Sequence, residues 1–236
     1  MFELHLGENL QVSSEKFKEG FFVAGNPGQG KTVFLVQLAL ELIKNGQKGL
    51  LIDPYGDLAK TVEDHIKTEQ AKKGVEFISL DIEGYDLAAK LQDKFVIVSG
   101  KYFDDGHRMT AKKIQRFVTK YYKQAKDDQW LIIDEALSCV NDEIFELYLA
   151  SASKNIHYVF SGIDFLQLSK KERAEFANVV QNYVIYKTRN MDAVLLSRER
   201  GELDPKKIKA IEQYHFQALI DGGMKYTKGL HPLGEI

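Results

Sequence analysis

The sequence is poor in cysteine, proline and tryptophan, and it has no excess of charge of one sign. One cysteine, Cys139, in 236 residues excludes a disulfide framework and a thiolate-built zinc site, and fits a reducing cytoplasm. Four prolines and no Ser- or Gly-rich run leave no linker, so a single domain is expected over 1–236. A net charge of −2 excludes a whole-molecule positive field, and any contact with nucleic acid has to come from a local patch. The longest apolar stretch, around 33–43, is interrupted by Gln37 and Glu41, which is too broken for a bilayer span. The opening MFELHLGENL has no basic segment followed by an apolar one, so no secretory leader is expected. The histidines show no paired metal-ligand spacing, and no internal repeat is found.

What remains is an ordinary globular composition, 44% hydrophobic and 28% charged, in a chain long enough to bury roughly 70% of its unfolded surface. Short β-type runs alternate with amphipathic helical stretches, the pattern of a parallel sheet with crossover helices. Strands are expected at 20–25 (GFFVAG), 49–53 (GLLID), 75–80, 95–99 (FVIVS), 130–134 (WLIID), 156–161 (IHYVFS) and 183–187 (YVIYK). Helices are expected at 31–45, from a cap at Asp57 to about 72, at 109–126, 142–153, 170–180, 192–200 and 205–212. Residues 216–220 and 224–227 read as a terminal hairpin, and 2–6 as an edge strand. The chain then divides into an N-terminal β segment (1–19), a core (20–200) and a C-terminal helix with a hairpin (201–236).

Gly25-Asn26-Pro27-Gly28-Gln29-Gly30-Lys31-Thr32 fits G-x-x-x-x-G-K-[ST]. Glycines let successive N–H groups converge on a phosphate, and the helix that follows, from Lys31 through Val33 onward, points its positive end there. Lys31 is placed to reach β- and γ-phosphates and the Thr32 hydroxyl to ligate Mg²⁺. An apolar strand runs straight into Gly25 and an amphipathic helix leaves from Lys31, the context this loop requires. The expected ligand is ATP with Mg²⁺.

Residues 130–135 place four apolar side chains before two carboxylates. A buried strand carries Asp134 to the C-terminal edge of the sheet, where it can hold a metal's water shell. Glu135 is then either the base that orients a water attacking the γ-phosphate or a cap on the next helix. A water-activating base suits a nucleotide hydrolase. A kinase transferring phosphate to a bound acceptor has no need of one.

Together these residues resemble the FtsK/HerA-type DNA-pumping ATPases, a group that includes conjugative coupling proteins, type IV secretion ATPases and genome-packaging ATPases of membrane-containing icosahedral viruses. The resemblance rests on the N-terminal β segment before the loop, on LLIDPYGDLAK at 50–60, on LIIDEAL, on IHYVFSGIDFLQL at 156–168, and on NYVIYKTRNMDAVLL at 182–196. It covers roughly 2–200. It implies a RecA-like (ASCE) α/β P-loop fold with a mostly parallel central sheet flanked by helices and small β additions at both termini. It also implies ATP hydrolysis coupled to DNA translocation, and a homo-oligomeric ring such as a hexamer in which each site is completed by a neighbour's residue.

Two positions depart from the family pattern. Where a phosphate-sensing glutamine would fall, the chain has Asp164 near Ser161, with Gln167 slightly later. Where coupling proteins place a trans-acting arginine, it reads Ser153-Lys154-Asn155. The finger is then Lys154, which lacks a planar fork, or an arginine elsewhere: Arg189 first, then Arg198 and Arg173.

Asp53 ends a strand that is expected beside the one bearing the phosphate loop. It either helps place water or Mg²⁺ or caps the turn through Pro54 and Gly56. Arg108, Lys112, Arg116, Lys120 and Lys123 repeat every three or four residues opposite Ile114, Phe117, Val118 and Tyr121. This stripe is either a solvated helix face, the commoner case, or a track for the phosphates of double-stranded DNA read without regard to sequence. Lys206, Lys207 and Lys209 form a smaller cluster with the same two readings. Tyr55, Tyr85, Tyr102 and Trp130 are aromatic enough to stack on bases but are more typical of core.

Three functions follow. A DNA motor is the first, and a bare motor core of this length points to virion DNA packaging, with plasmid or conjugative transfer as the alternative. Docking on a capsid vertex or membrane would be supplied by another protein, and the location would be the host cytoplasm or the virion. A P-loop kinase would need an arginine-rich lid that the sequence does not offer. A slowly hydrolysing nucleotide switch is the third.

Overall fold

The computed structural model describes residues 1–79, 85–100, 111–139, 146, 149–150, 154–163 and 165–230. Nine strands form one sheet: β3 (Phe21–Ala24), β4 (Gly49–Asp53), β5 (Val75–Ser79), β6 (Phe95–Ser99), β7 (Trp130–Ile133), β8 (His157–Gly162), β9 (Asn182–Ile185), β10 (His215–Ile220) and β11 (Gly223–Lys228). Their order is β11-β10-β9-β3-β8-β7-β4-β6-β5. From β9 to β5 all neighbours are parallel, and β10 and β11 add an antiparallel hairpin at one edge. This is the mixed α/β sheet expected from the alternation of strands and helices.

Both faces of the central strands are buried, so their sequences are almost continuously apolar. Phe22, Leu50, Ile52, Leu131, Ile133, Tyr158 and Phe160 pack on one face; Phe21, Val23, Leu51, Trp130, Ile132 and Val159 pack on the other. Helices α1 (Lys31–Lys44), α2 (Asp57–His65) and α3 (Glu69–Gly74) cover the second face with Leu35, Leu38, Leu58, Val62 and Ala71. The first face is covered by α4 (Leu87–Asp93), α5 (Ala111–Gln124), α6 (Lys170–Val179), α7 (Asn190–Glu199) and α8 (Pro205–Lys209). Among the described residues no helix is long and apolar enough to cross a membrane.

Several sequence expectations are corrected. The strand expected at 2–6 is present, but it lies outside the large sheet. β1 (Glu3–Gly7) pairs antiparallel with β2 (Leu10–Ser13) in a separate hairpin, because Leu4, Leu6, Leu10 and Val12 all bury on one side. The hairpin is tied to α1 by the His5 amide, which donates to Glu41 at 3.1 Å. The helix expected from Asp57 to about 72 is two helices. Thr68 starts the second by accepting from the Ala71 amide at 3.2 Å, an N-cap that competes with continuing the first. Asp57 is the first helical residue rather than the cap, which is Gly56 at φ 83°. Helix α4 was not expected; Asp86 caps it and Leu87 and Leu91 bury one turn apart. The helix expected at 142–153 falls largely outside the described residues.

Strand order also corrects the placement of Asp53. β4 pairs with β7 and β6, and both β7 and β8 lie between it and the strand that bears the phosphate loop.

Candidate functional site

Strand β3 delivers the chain to Gly25, and the loop turns back through two left-handed glycines, Gly28 at φ 72° and Gly30 at φ 118°. Neither Gly25 nor Gly30 tolerates a side chain. A Cβ on Gly25 would lie 2.7 Å from the Tyr186 Cβ, and one on Gly30 would lie 3.1 Å from its ring. Tyr186, buried at the end of β9, is therefore the floor on which the loop is moulded. The Asn26 amide donates to the Lys187 carbonyl at 2.9 Å and fixes the loop to the same segment. Helix α1 begins with no side-chain cap, so its first amides are left for an anion.

The Lys31 ammonium is buried. It donates to the Gly25 carbonyl at 2.8 Å and lies 3.6 Å from a Glu135 carboxylate oxygen. Asp134, at the end of β7, is 7% exposed. The Ser161 hydroxyl, from the end of β8, donates to Asp134 Oδ1. Glu135 sits at φ 50°, an unfavourable backbone for a non-glycine residue. Two contacts hold it there: its amide donates to Asp134 Oδ1 at 3.1 Å and to Ser161 Oγ at 3.0 Å. The strained backbone turns the glutamate toward Lys31 instead of onward along the chain.

These groups border one cavity of about 380 Å³, lined on its loop side by Pro27, Gly28, Gly30, Lys31, Thr32 and Val33 and across from them by Asp53, Asp134 and Glu135. Burial dominates its electrostatics. It pushes Asp134 up to about 6, aided by Glu135 and Asp53 and opposed by the Ser161 hydrogen bond. Burial also raises Glu135, against the pull of Lys31, and lowers Lys31, against the pull of Glu135 and Asp134. The opposite shifts of the two partners have one cause: neither charge recovers from the other all it loses on leaving water.

Asp53 caps the turn after β4. Its Oδ1 accepts from the amides of Tyr55 (3.0 Å) and Gly56 (2.8 Å), and its Oδ2 from that of Ala59 (2.8 Å). It holds the turn after β4 in shape while bordering the cavity.

The finger candidates lie apart from this cavity. Arg189 is exposed at the N-terminus of α7, just past the strand that pairs with β3. Arg198 is exposed on the same helix. Arg173 is engaged with the Leu168 carbonyl at 2.5 Å and with Glu199 at 3.8 Å. Lys154 donates to the Tyr122 carbonyl at 2.5 Å, before β8 and so at the opposite end of the strands. Of the sensor candidates, Asp164 lies outside the described residues and Gln167 is exposed without lining the cavity. Ser161 is the polar group that β8 brings to the acidic pair. Its only sequence signal is a hydroxyl at the end of an otherwise apolar strand. Asp192, buried in α7, accepts from the Phe165 amide at 2.9 Å and so ties that helix to the segment after β8.

On α5, Ile114, Phe117, Val118 and Tyr121 are buried, whereas Arg116 and Lys123 are exposed and Lys120 is half-buried. Arg108 and the Lys112 side chain lie outside the described residues. Of the aromatic candidates, Trp130 is core, Tyr85 donates to Glu76 at 3.1 Å, Tyr55 is exposed at the cavity, and Tyr102 lies outside the described residues. Glu15, Asp128 and His157 also gather at the N-terminal ends of β7 and β8. Lys18 supplies the cation there, bonded to Asp128 at 2.6 Å and to Glu15 at 2.9 Å.

No family model and no curated protein matches the sequence. Solved structures do match the fold. The genome packaging NTPase of Sulfolobus turreted icosahedral virus 2, in complex with AMP, is 18% identical, with 89% of this chain and 96% of that one covered at a TM-score of 0.58. VirB4 of Thermoanaerobacter pseudethanolicus is 10% identical, with 96% of each chain covered and a TM-score of 0.67. The pCW3 conjugation coupling protein TcpA, in its monomer form with ATPγS, is 14% identical over 97% of this chain and 66% of that one, at a TM-score of 0.54. The mixed α/β fold with a mostly parallel central sheet, expected from the sequence, is the fold these structures share.

Proposed function

We propose that this chain hydrolyses ATP to move double-stranded DNA, as the packaging motor of a virion. The observation that carries the reading is the convergence of Lys31, Thr32, Asp134 and Glu135 on one cavity beneath uncapped helix amides. In this reading residues 25–33 cradle the phosphates through backbone amides, and Lys31 reaches the β- and γ-phosphates. Glu135 takes a proton from the attacking water as its oxygen bonds to the γ-phosphorus, the bond to the bridging oxygen breaks, and ADP and phosphate leave.

The donor set suits Mg²⁺. One carboxylate, Asp134, and one hydroxyl, Thr32, border the cavity, and a hard cation of this kind takes its remaining ligands from water and phosphate. When bound, the ion would neutralise charge on the β- and γ-phosphates.

Arg189 is proposed as the residue that completes a neighbouring subunit's site in a closed ring. The α5 stripe is proposed to follow DNA phosphates, and a separate docking protein to anchor the ring. The packaging reading draws on the match to a viral packaging NTPase over nearly the full length of both chains. The match to a conjugation coupling protein over 97% of this chain supports, as the second reading, a motor of a conjugative element. Purified protein with MgATP should release phosphate, and duplex DNA should raise the rate in a salt-sensitive way. An unchanged rate with DNA and a monomer with ATP would favour a nucleotide switch instead.

A further inference from the structure

A second cavity, of about 200 Å³, adjoins the phosphate cavity, and Gly30, Val33 and Tyr214 line both. At ~30 Å³ per water this is room for several waters, and enough for a planar base. Its other walls include Leu6, Phe34 and Tyr186. Strand order fixes its place relative to the chemistry. Glu135 follows β7, on one side of β3, whereas Tyr214 precedes β10, on the other. A triphosphate with its γ end at Glu135 therefore directs its nucleoside end toward Tyr214.

Tyr214 is held there against its own preference. It has φ 62°, a left-handed backbone that a bulky residue rarely adopts. Its amide donates to the Gln29 carbonyl at 3.3 Å, its carbonyl accepts from the Gly229 amide at 2.8 Å, and the neighbouring Gln213 side chain donates to the Gly28 carbonyl at 3.2 Å. These contacts clamp the segment to the phosphate loop, and Tyr214 stays 50% exposed at the junction of the two cavities. A strained backbone that presents an open aromatic face beside a ligand cavity is the arrangement expected of a functional position.

We infer that Tyr214 is the platform on which the base of the bound nucleotide stacks, and that the adjoining cavity selects purine nucleoside triphosphates; this rests on the nucleotide reading of the phosphate loop. Of the polar side chains of the wall, Gln37 donates to Glu41 at 3.0 Å and Lys228 pairs with Glu8 at 3.4 Å. Stacking on the Tyr214 ring then favours the larger purine over the pyrimidine by its greater apolar area and hardly separates adenine from guanine.

Equilibrium binding of ATP, GTP, CTP, UTP and inorganic tripolyphosphate to the full chain, with Tyr214→Ala and Tyr214→Phe alongside, tests this. ATP and GTP should bind within a few-fold of each other and roughly tenfold or more tighter than CTP and UTP. Tyr214→Ala should lose that advantage while holding tripolyphosphate as before, and Tyr214→Phe should keep it. Unchanged ATP affinity in Tyr214→Ala would overturn the assignment. So would an equal loss of ATP and tripolyphosphate, which would make Tyr214 a clamp on the loop and no more. If the unaltered protein binds neither tripolyphosphate nor any nucleotide, the phosphate-loop reading falls, and this inference with it.

Discussion

The Lys31 ammonium and the Glu135 carboxylate lie 3.6 Å apart, although one opens the helix after β3 and the other follows β7. Strand β8, inserted between those strands, brings them together by supplying Ser161, whose hydroxyl braces the backbone of Glu135. The pair joins the group that would bind phosphate to the group that would activate water, and it is where the proposed function is most open to test.

Lys31→Ala removes the buried cation of the cavity and leaves Glu135 without its partner. Affinity for ATP should fall at least tenfold, read by titration with a fluorescent nucleotide, and phosphate release should fall to background. The fold should persist, because the remaining contacts of the loop to Lys187 and Tyr186 are made by other residues.

Asp134 carries a pH signature. Its pKa in the folded chain, about 6 against an ordinary 3.8, means that between those values the folded state holds more proton than the unfolded one. The stabilising effect is therefore complete below about pH 4 and is lost as pH rises through 6. Asp134→Asn mimics the neutral acid. With metal removed by chelation, it should melt like the parent at pH 4 and be more stable at pH 7.5, by on the order of 1–3 kcal/mol. Its MgATP hydrolysis should be lost, a trade of stability against function.

Asp53 separates a cap from a ligand. Asp53→Ala orphans three amide donors that are now satisfied by one carboxylate and should cost at least about 2 kcal/mol in a urea titration. Asp53→Asn keeps an acceptor for Tyr55 and Gly56. It should lose less stability and keep kcat within a few-fold of the parent.

The basic face of α5 is testable by charge reversal. Arg116, Lys120 and Lys123 changed together to Glu should abolish stimulation by duplex DNA while basal hydrolysis stays unchanged, since none of them borders the nucleotide cavity. Residual DNA binding should show a shallower salt dependence, by about 0.9 in slope for each phosphate that the protein no longer neutralises.

What the sequence made legible follows from physical range. β4 and β6 match their expected bounds to the residue, because strands buried on both faces must be apolar throughout and must end where polar residues resume. The glycines of the loop were legible because only they fit its backbone. The position of β4 was not, because two strands that enter the sheet later in the chain, β7 and β8, separate it from β3. The hairpin of β1 and β2 was only half visible. Its second strand is four residues long, too short for alternation to stand out. Tyr214 carried no local signal at all, since its importance comes from backbone bonds to Gln29 and Gly229.

The most direct measurement is the single-turnover rate of Glu135→Gln with MgATP, taken together with its nucleotide affinity. Removing the base while keeping shape and hydrogen-bonding capacity should slow cleavage by roughly 10²- to 10⁴-fold, with ATP bound at least as tightly as by the parent. Cleavage at the parental rate would show that Glu135 does not handle the water's proton, and would contradict the proposed mechanism.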